Sequence, residues 1–298
     1  MNGILNILKP PGMTSFDVVA HIRGLTKMKK TGHTGTLDPM AAGVLTVCIG
    51  SATGAIEFMV DKDKLYRAEL TLGISTDTQD SSGSVLSERT VDASDVEIKA
   101  AVTSFIGRYA QLPPMFSALK VNGIKLYELA REGISIDRAL REVEIYSEEV
   151  IKIDRKERVK VLFDIHCSKG TYIRTLCADI GERLGCGGHM SFLLRKRAGA
   201  FCLENAVTLE EIRVLASEEN LQSVMTDVPA AFEAIETFEL DPGQEKLFVN
   251  GVRFDIGDIT RSDSLVRVYG ADGRFLALGE IFSSNGRSLL KSRKFFKS

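Results

Sequence analysis

The stretch Lys30-Thr31-Gly32-His33-Thr34-Gly35-Thr36-Leu37-Asp38-Pro39-Met40-Ala41-Ala42-Gly43-Val44-Leu45 governs the reading of this chain. Three glycines surround one histidine, one aspartate and one proline, and the run ends in apolar residues. Gly32 and Gly35 permit positive φ or close approach by a ligand. Pro39 biases Asp38 towards an extended backbone and stiffens the turn. Residues 44–49 then read as a buried strand. A carboxylate on a rigid loop entering a strand suits a nucleophile or a base. It equally suits a structural turn in which Asp38 bonds its own backbone. The stretch carries neither a GxxxxGKS/T phosphate loop nor a GxGxxG dinucleotide fingerprint.

Outward from that loop, Thr14 or Ser15 is placed to cap a helix reaching about Lys27, with Val18, Val19, Ile22 and Leu25 on one face. Residues 66–72 alternate, Tyr66, Ala68, Leu70 and Leu72 sharing a side, and residues 158–166 alternate likewise. The period then becomes helical over 171–184, burying Ile173, Leu176, Cys177, Ile180 and Leu184. Thr208-Leu209-Glu210-Glu211 is a capping box. Strands and helices mix without strict βαβ alternation, which predicts an α+β fold. Beyond Glu236 two strands and the turns Ala271-Asp272-Gly273 and Asn285-Gly286 read as a β-meander, with no long helix. We therefore expect domains over 1–235 and 236–298, the second a small β-barrel. Residues 113–142 fit an inserted lobe or a helical connection.

The chain has 298 residues, 44% apolar and 26% charged. That excludes a mainly disordered chain. No apolar run nears the ~20 residues of a membrane-spanning helix. The start, MNGILNILKPPG, has no basic region and too short an apolar stretch for a secretory signal, so a cytoplasmic protein is expected. Five cysteines without a CxxC pair read as reduced thiols. Cys177, Cys186 and His189 match no standard zinc spacing. The net charge is −2, but it is unevenly spread. Residues 204–246 hold eleven acids against two bases. Basic patches lie at Arg23, Lys27, Lys29 and Lys30, at Arg195, Lys196 and Arg197, and at Arg287, Lys291, Arg293, Lys294 and Lys297. Such clusters are the footprint of a polyanion partner, or else solvated surface.

The segment Gly32-His33-Thr34-Gly35-Thr36-Leu37-Asp38-Pro39 with Gly43-Val44-Leu45 resembles motif II of the TruB-type tRNA pseudouridine-55 synthases. In the family's order follow further matches. Lys9-Pro10-Pro11-Gly12-Met13-Thr14-Ser15 is similar to its KPxGxTS segment. Tyr66-Arg67, Leu72-Gly73 and Thr76-Asp77-Thr78-Gln79-Asp80 resemble its YxxxxxLGxxTDTxD stretch. Cys167-Ser168-Lys169-Gly170-Thr171-Tyr172-Ile173-Arg174 resembles CSxGTYIR, and Gly187-Gly188-His189 with residues 193–201 resembles the later motifs. The resemblance spans essentially the whole chain.

It implies a pseudouridine synthase fold: a mixed, mainly antiparallel sheet flanked by helices, with a small C-terminal PUA-like RNA-binding β-barrel. It implies isomerisation of a uridine in the tRNA T loop, at tRNA position 55, with no metal or organic cofactor. Asp38 would be the nucleophile, attacking ribose C1′ or uracil C6, and Arg174 its partner against burial. Tyr66 would stack on the flipped uracil, Tyr172 and Leu193 would line the pocket, and His33 would enter the T loop. Lys9 and Asp80 would support the site. Residue by residue, a surface arginine, a core tyrosine or leucine and a structural histidine remain open. The implied partner is the T-arm of tRNA, gripped by 113–142, with a monomer expected, no membrane and no guide RNA. Leu194 and Gly54 depart from the family's usual Arg and Lys. Two rival readings are a tRNA-folding protein that acts without catalysis and an unrelated hydrolase with an aspartate nucleophile.

Overall fold

The computed structural model describes residues 1–60, 62–121, 123–257 and 264–296. A ten-stranded sheet runs Met225–Thr226, Gly3–Lys9, Ala42–Ile49, Gly188–Ala198, Lys64–Leu72, Lys160–Cys167, Arg141–Asp154, Gly107–Gln111. Thr31–His33 adds to Ala42–Ile49, and Phe201–Cys202 to Gly188–Ala198. These ladders are antiparallel, except that Gly188–Ala198 joins Ala42–Ile49 in parallel through Leu194 with Ala42 and Arg195 with Gly43. The fold is α+β, as the mixed pattern predicts.

The strands Gly3–Lys9 and Ala42–Ile49 are apolar on both faces because both faces are covered. Leu5, Ile7, Leu45, Val47 and Ile49 meet Val18, Val19 and Ile22 of the helix Ser15–Thr26, and Ile212 of the helix Leu209–Ser217. Ile4, Val44 and Cys48 turn the other way, against Ala52, Phe201, Leu278 and Phe296. At the sheet's other half only one face is apolar. Tyr66, Ala68, Leu70, Val161, Phe163 and Ile165 pack on Leu176, Cys177 and Ile180 of the helix Ile173–Arg183. The opposite face carries ion pairs, such as Arg67 Nε to Asp164 Oδ1 at 2.7 Å. This is the two-residue period of a half-buried strand.

The C-terminal sheet runs Thr237–Glu239, Ser264–Tyr269, Phe275–Ser284, Arg287–Phe295, Phe254–Asp255. It wraps a core of Leu240, Phe248, Val266, Val268, Ile281 and Leu290. Asn285 and Gly286 have φ of 52° and 74°, the two positive values a tight hairpin turn requires. A helix, Pro242–Val249, packs Phe248 into this core. The β-meander reading did not contain it, although its Asp241–Gln244 capping box with proline at the first turn is legible.

Two long strands, Arg141–Asp154 and Gly188–Ala198, also escaped the pattern. Bulges between Ile145 and Ser147, Met190 and Phe192, and Arg195 and Arg197 shift their alternation in mid-strand. Residues 113–142 form neither a plain loop nor one long helix. They hold the pair Lys120–Val121 with Ile124–Lys125 and the short helix Leu126–Arg131. Lys297 of the terminal basic patch lies outside the described residues.

Candidate active site

Three residues brace the loop that bears Asp38. Lys9, fully buried, donates from Nζ to the carbonyls of Pro10, Met13 and Pro39 at 2.8, 2.5 and 3.3 Å. Burial lowers its pKa to about 8. Ser15 Oγ accepts from Leu37 N–H at 2.9 Å and donates to the Leu37 carbonyl at 3.3 Å. The cap of the helix is therefore Thr14, which frees Ser15 for the loop. Arg195, also buried, donates to the carbonyls of Val44, Gly35 and Thr36 at 2.7, 3.0 and 3.4 Å. Gly43 has φ of 113°, and a Cβ there would sit 2.3 Å from the Arg195 carbonyl oxygen. Only glycine lets the parallel strands approach this closely.

The loop presents Asp38 to Arg174. Arg174 Nη2 donates to Asp38 Oδ1 at 3.1 Å, and Nη1 lies 3.8 Å from Asp80 Oδ2. The Arg174 side chain is 6% exposed and that of Asp38 29%, so the carboxylate can be reached and the guanidinium cannot. Burial raises the Asp38 pKa, Arg174 opposes the rise, Asp80 adds to it, and Lys9 and Arg195 oppose it. Asp80 is itself fixed: Thr78 Oγ1 and the Ser82 N–H donate to its Oδ1 at 2.7 and 2.9 Å.

The walls come from the sheet. Tyr66 stands opposite Arg195, and Leu193 opposite Ala68, in the same ladder. Both are buried in one cluster with Leu37 and Ala41 of the loop. Tyr66 is thus a core residue that also stands near Asp38. Burial raises its phenol, Arg195 opposes, and Asp38 adds a small rise. The Arg174 guanidinium lies 5.9 Å from the Tyr172 ring centroid. His33, half-buried on the strand Thr31–His33, meets the ring of Phe16 edge-on at 5.8 Å. Its pKa is lowered by burial and then by Arg195. Phe16 is 69% exposed beside it.

The structure thus brings Asp38, Arg174, Asp80, Tyr66, Leu193 and Tyr172 together, with Lys9 behind the loop and His33 flanking it. It corrects the reading of one basic patch. Arg195 is spent on the loop, Lys196 pairs with Asp164 at 2.9 Å and Arg197 with Asp63 at 2.8 Å. Cys177 is plain core, the Cys186 thiol donates to the Gly187 carbonyl, and His189 bonds the Ile74 carbonyl. Gly54 packs under the Lys294 stem, where a Cβ would lie 2.7 Å from Lys294 Cε. Sequence reasoning missed the loop-bracing of Ser15 and Arg195. A serine after a cap and an arginine in a basic run give no signal of it.

The TruB-family pseudouridylate synthase N-terminal domain matches residues 23–173, and the tRNA pseudouridylate synthase B C-terminal domain matches residues 174–233. The chain belongs to the TruB family. It is 54% identical over 253 residues to the tRNA pseudouridine synthase B of Alkaliphilus oremlandii, covering 85% of this chain and 83% of that protein. It is 44% identical to that of Clostridium acetobutylicum, covering 98% and 99%. A Cbf5–Nop10–Gar1 complex contains a chain of the same fold, with a TM-score of 0.77 at 27% identity over 99% of this chain and 85% of that one. This TruB-family chain is accordingly an isomerase of the pseudouridine synthase fold. No helix among the described residues is long and apolar enough to cross a membrane.

Proposed function

We propose that the chain isomerises uridine to pseudouridine in the T loop of tRNA, at tRNA position 55, with Asp38 as the nucleophile. The observation that carries the reading is the Asp38–Arg174–Asp80 arrangement: a reachable carboxylate paired with a buried, permanent cation. Arg174 favours the ionised form of Asp38 at the point where burial disfavours it. Asp38 attacks ribose C1′ or uracil C6. The C1′–N1 bond breaks, the uracil turns, a C1′–C5 bond forms, and the bond to Asp38 breaks again, freeing the carboxylate. C5 then loses its proton and N1 gains one, so atoms balance without a cofactor. Tyr66 stacks on the flipped base, worth about 1–3 kcal/mol against an unstacking cost of similar size. Leu193 and Tyr172 line the pocket, His33 holds the vacated T loop open, and Lys9 and Asp80 hold the machinery in place.

In this reading 1–235 is the catalytic domain, 113–142 grips the T-arm, and 236–298 is a PUA-like RNA-binding domain. The protein acts as a cytoplasmic monomer without a guide RNA. Tritium release from tRNA carrying 5-³H-uridine tests the reading, because forming the C1′–C5 bond expels that hydrogen. Release by the wild type and none by Asp38→Ala is the expected result. Tight binding of tRNA with no release by either would overturn it in favour of a tRNA-folding role.

A further inference from the structure

Gln111 ends the edge strand Gly107–Gln111 and is 1% exposed. Its side chain bonds the main chain of Tyr172 twice. Oε1 accepts from the Tyr172 N–H at 2.7 Å, and Nε2 donates to the Tyr172 carbonyl at 3.0 Å. One carboxamide thus makes the reciprocal pair of bonds that a neighbouring strand would make. Tyr172 is the N-cap of the helix Ile173–Arg183, and its own side chain makes no capping bond. Gln111 therefore fixes where that helix begins, two residues before Arg174. Two residues back on the same strand face, the Tyr109 hydroxyl donates to Asp179, far along the same helix. The strand holds the helix at two points.

The strand leads directly into 113–142. Within that segment Ser117 lies beside the Tyr172 phenol and opposes the rise that burial imposes on it. The Ser117 carbonyl accepts from Tyr127 N–H at 3.1 Å, and Arg138 donates to the Pro113 carbonyl at 2.8 Å. Tyr172 thus meets the strand that leads into the segment through its main chain, and its phenol faces Ser117 of the segment.

We infer that Gln111 is a positioning residue for the isomerisation, registering the Arg174 guanidinium against Asp38 and tying that register to the 113–142 segment. The inference rests on the function proposed above. Its chemistry needs an amide. Glutamine accepts and donates at once, an ionised glutamate only accepts, and leucine leaves both Tyr172 groups unpaired. Arg174 meets Asp38 through a single bond, so a displacement near 1 Å at the helix start weakens that contact directly.

The test uses the full chain with a T-arm stem-loop carrying 5-³H-uridine. Gln111→Leu and Gln111→Glu are compared with the wild type for RNA affinity and for single-turnover tritium release across pH. Four charged groups face Asp38: Arg174, Asp80, Lys9 and Arg195. Gln111→Leu is expected to slow release by about 10–100-fold, with affinity held within about threefold. The acid limb of the rate profile should move to higher pH, because Arg174 then opposes the burial of Asp38 less. A loss of stability alone would not move that limb. Gln111→Glu keeps the shape and the acceptor, and supplies the test if the leucine variant does not fold. Release within twofold of the wild type and an unmoved acid limb, or a loss confined to RNA affinity, would overturn the inference alone. No release by the wild type would overturn the proposed function with it.

Discussion

Arg174 Nη2 donates to Asp38 Oδ1 at 3.1 Å across 136 positions of chain. The same guanidinium reaches towards Asp80, so one buried cation faces two carboxylates. A planar fork can do this; a single ammonium cannot. Arg174→Lys is expected to fold and to lose about 100–1,000-fold in single-turnover rate, the usual size for losing a well-placed donor at a reacting centre. Arg174→Ala strips a buried cation from Asp80, and should cost about 3 kcal/mol or more in urea unfolding. A lysine variant at the wild-type rate would contradict the two-carboxylate role.

Lys9 acts on Asp38 through Pro39. Lys9→Met keeps the stem and removes three donors from buried carbonyls. We expect a loss of about 2–4 kcal/mol and a slower chemical step at unchanged tRNA affinity. The pKa of Lys9 falls from 10.5 to about 8 in the folded protein. Between those values the unfolded chain binds more protons, so this group makes stability rise with pH. Unfolding at pH 8 and pH 10 should show that rise in the wild type and a smaller one in the variant.

Gly43→Ala places a methyl group 2.3 Å from the Arg195 carbonyl oxygen and 2.6 Å from its nitrogen, at a φ of 113°. Both strands must part, and with them the Arg195 bonds that hold Gly35 and Thr36. Destabilisation of roughly 3 kcal/mol or more is expected, with activity lost at temperatures where the fold survives. Circular dichroism melts beside tritium release check this. Normal stability would show that the parallel pairing tolerates a side chain.

Glu148 sits buried on the strand Arg141–Asp154, and both its carboxyl oxygens lack a hydrogen-bond partner among the described residues. Burial raises its pKa from 4.5 to about 8. A group raised in this way stabilises the fold fully below about 4.5, and that stability is lost as pH climbs through about 8. Glu148→Gln should flatten the curve and exceed the wild type at pH 8, by an amount on the order of a few kcal/mol. Denaturant midpoints at pH 5 and pH 8 decide it: a wild type equally stable at both would refute the buried-carboxyl account.

Much of the site is legible locally. The glycine-rich loop with Asp38-Pro39 announces a rigid carboxylate, and the helical period over 171–184 leaves Arg174 off its apolar stripe. Period two places Tyr66 on the buried side of its strand. What sequence patterns miss is phase and partnership. The bulges hide the strand Gly188–Ala198, and Arg195 reads as one more surface cation although it braces the loop. Gln111 gives no signal at all, because its partner is a backbone 61 positions away.

Sequence by itself determined the family, the α+β class, the Asp38 loop and the helix that carries Arg174 in its first turn. These depend on residue types at short range: glycine where the backbone needs freedom, alternation in strands and capping residues at helix starts. Only the tertiary structure decided which charges are spent inside and which remain at the site. The pairing of Asp38 with Arg174, the bracing by Lys9 and Arg195 and the anchoring by Gln111 all join distant segments. A charge's solvation and partners depend on what the fold lays against it, and no local pattern carries that.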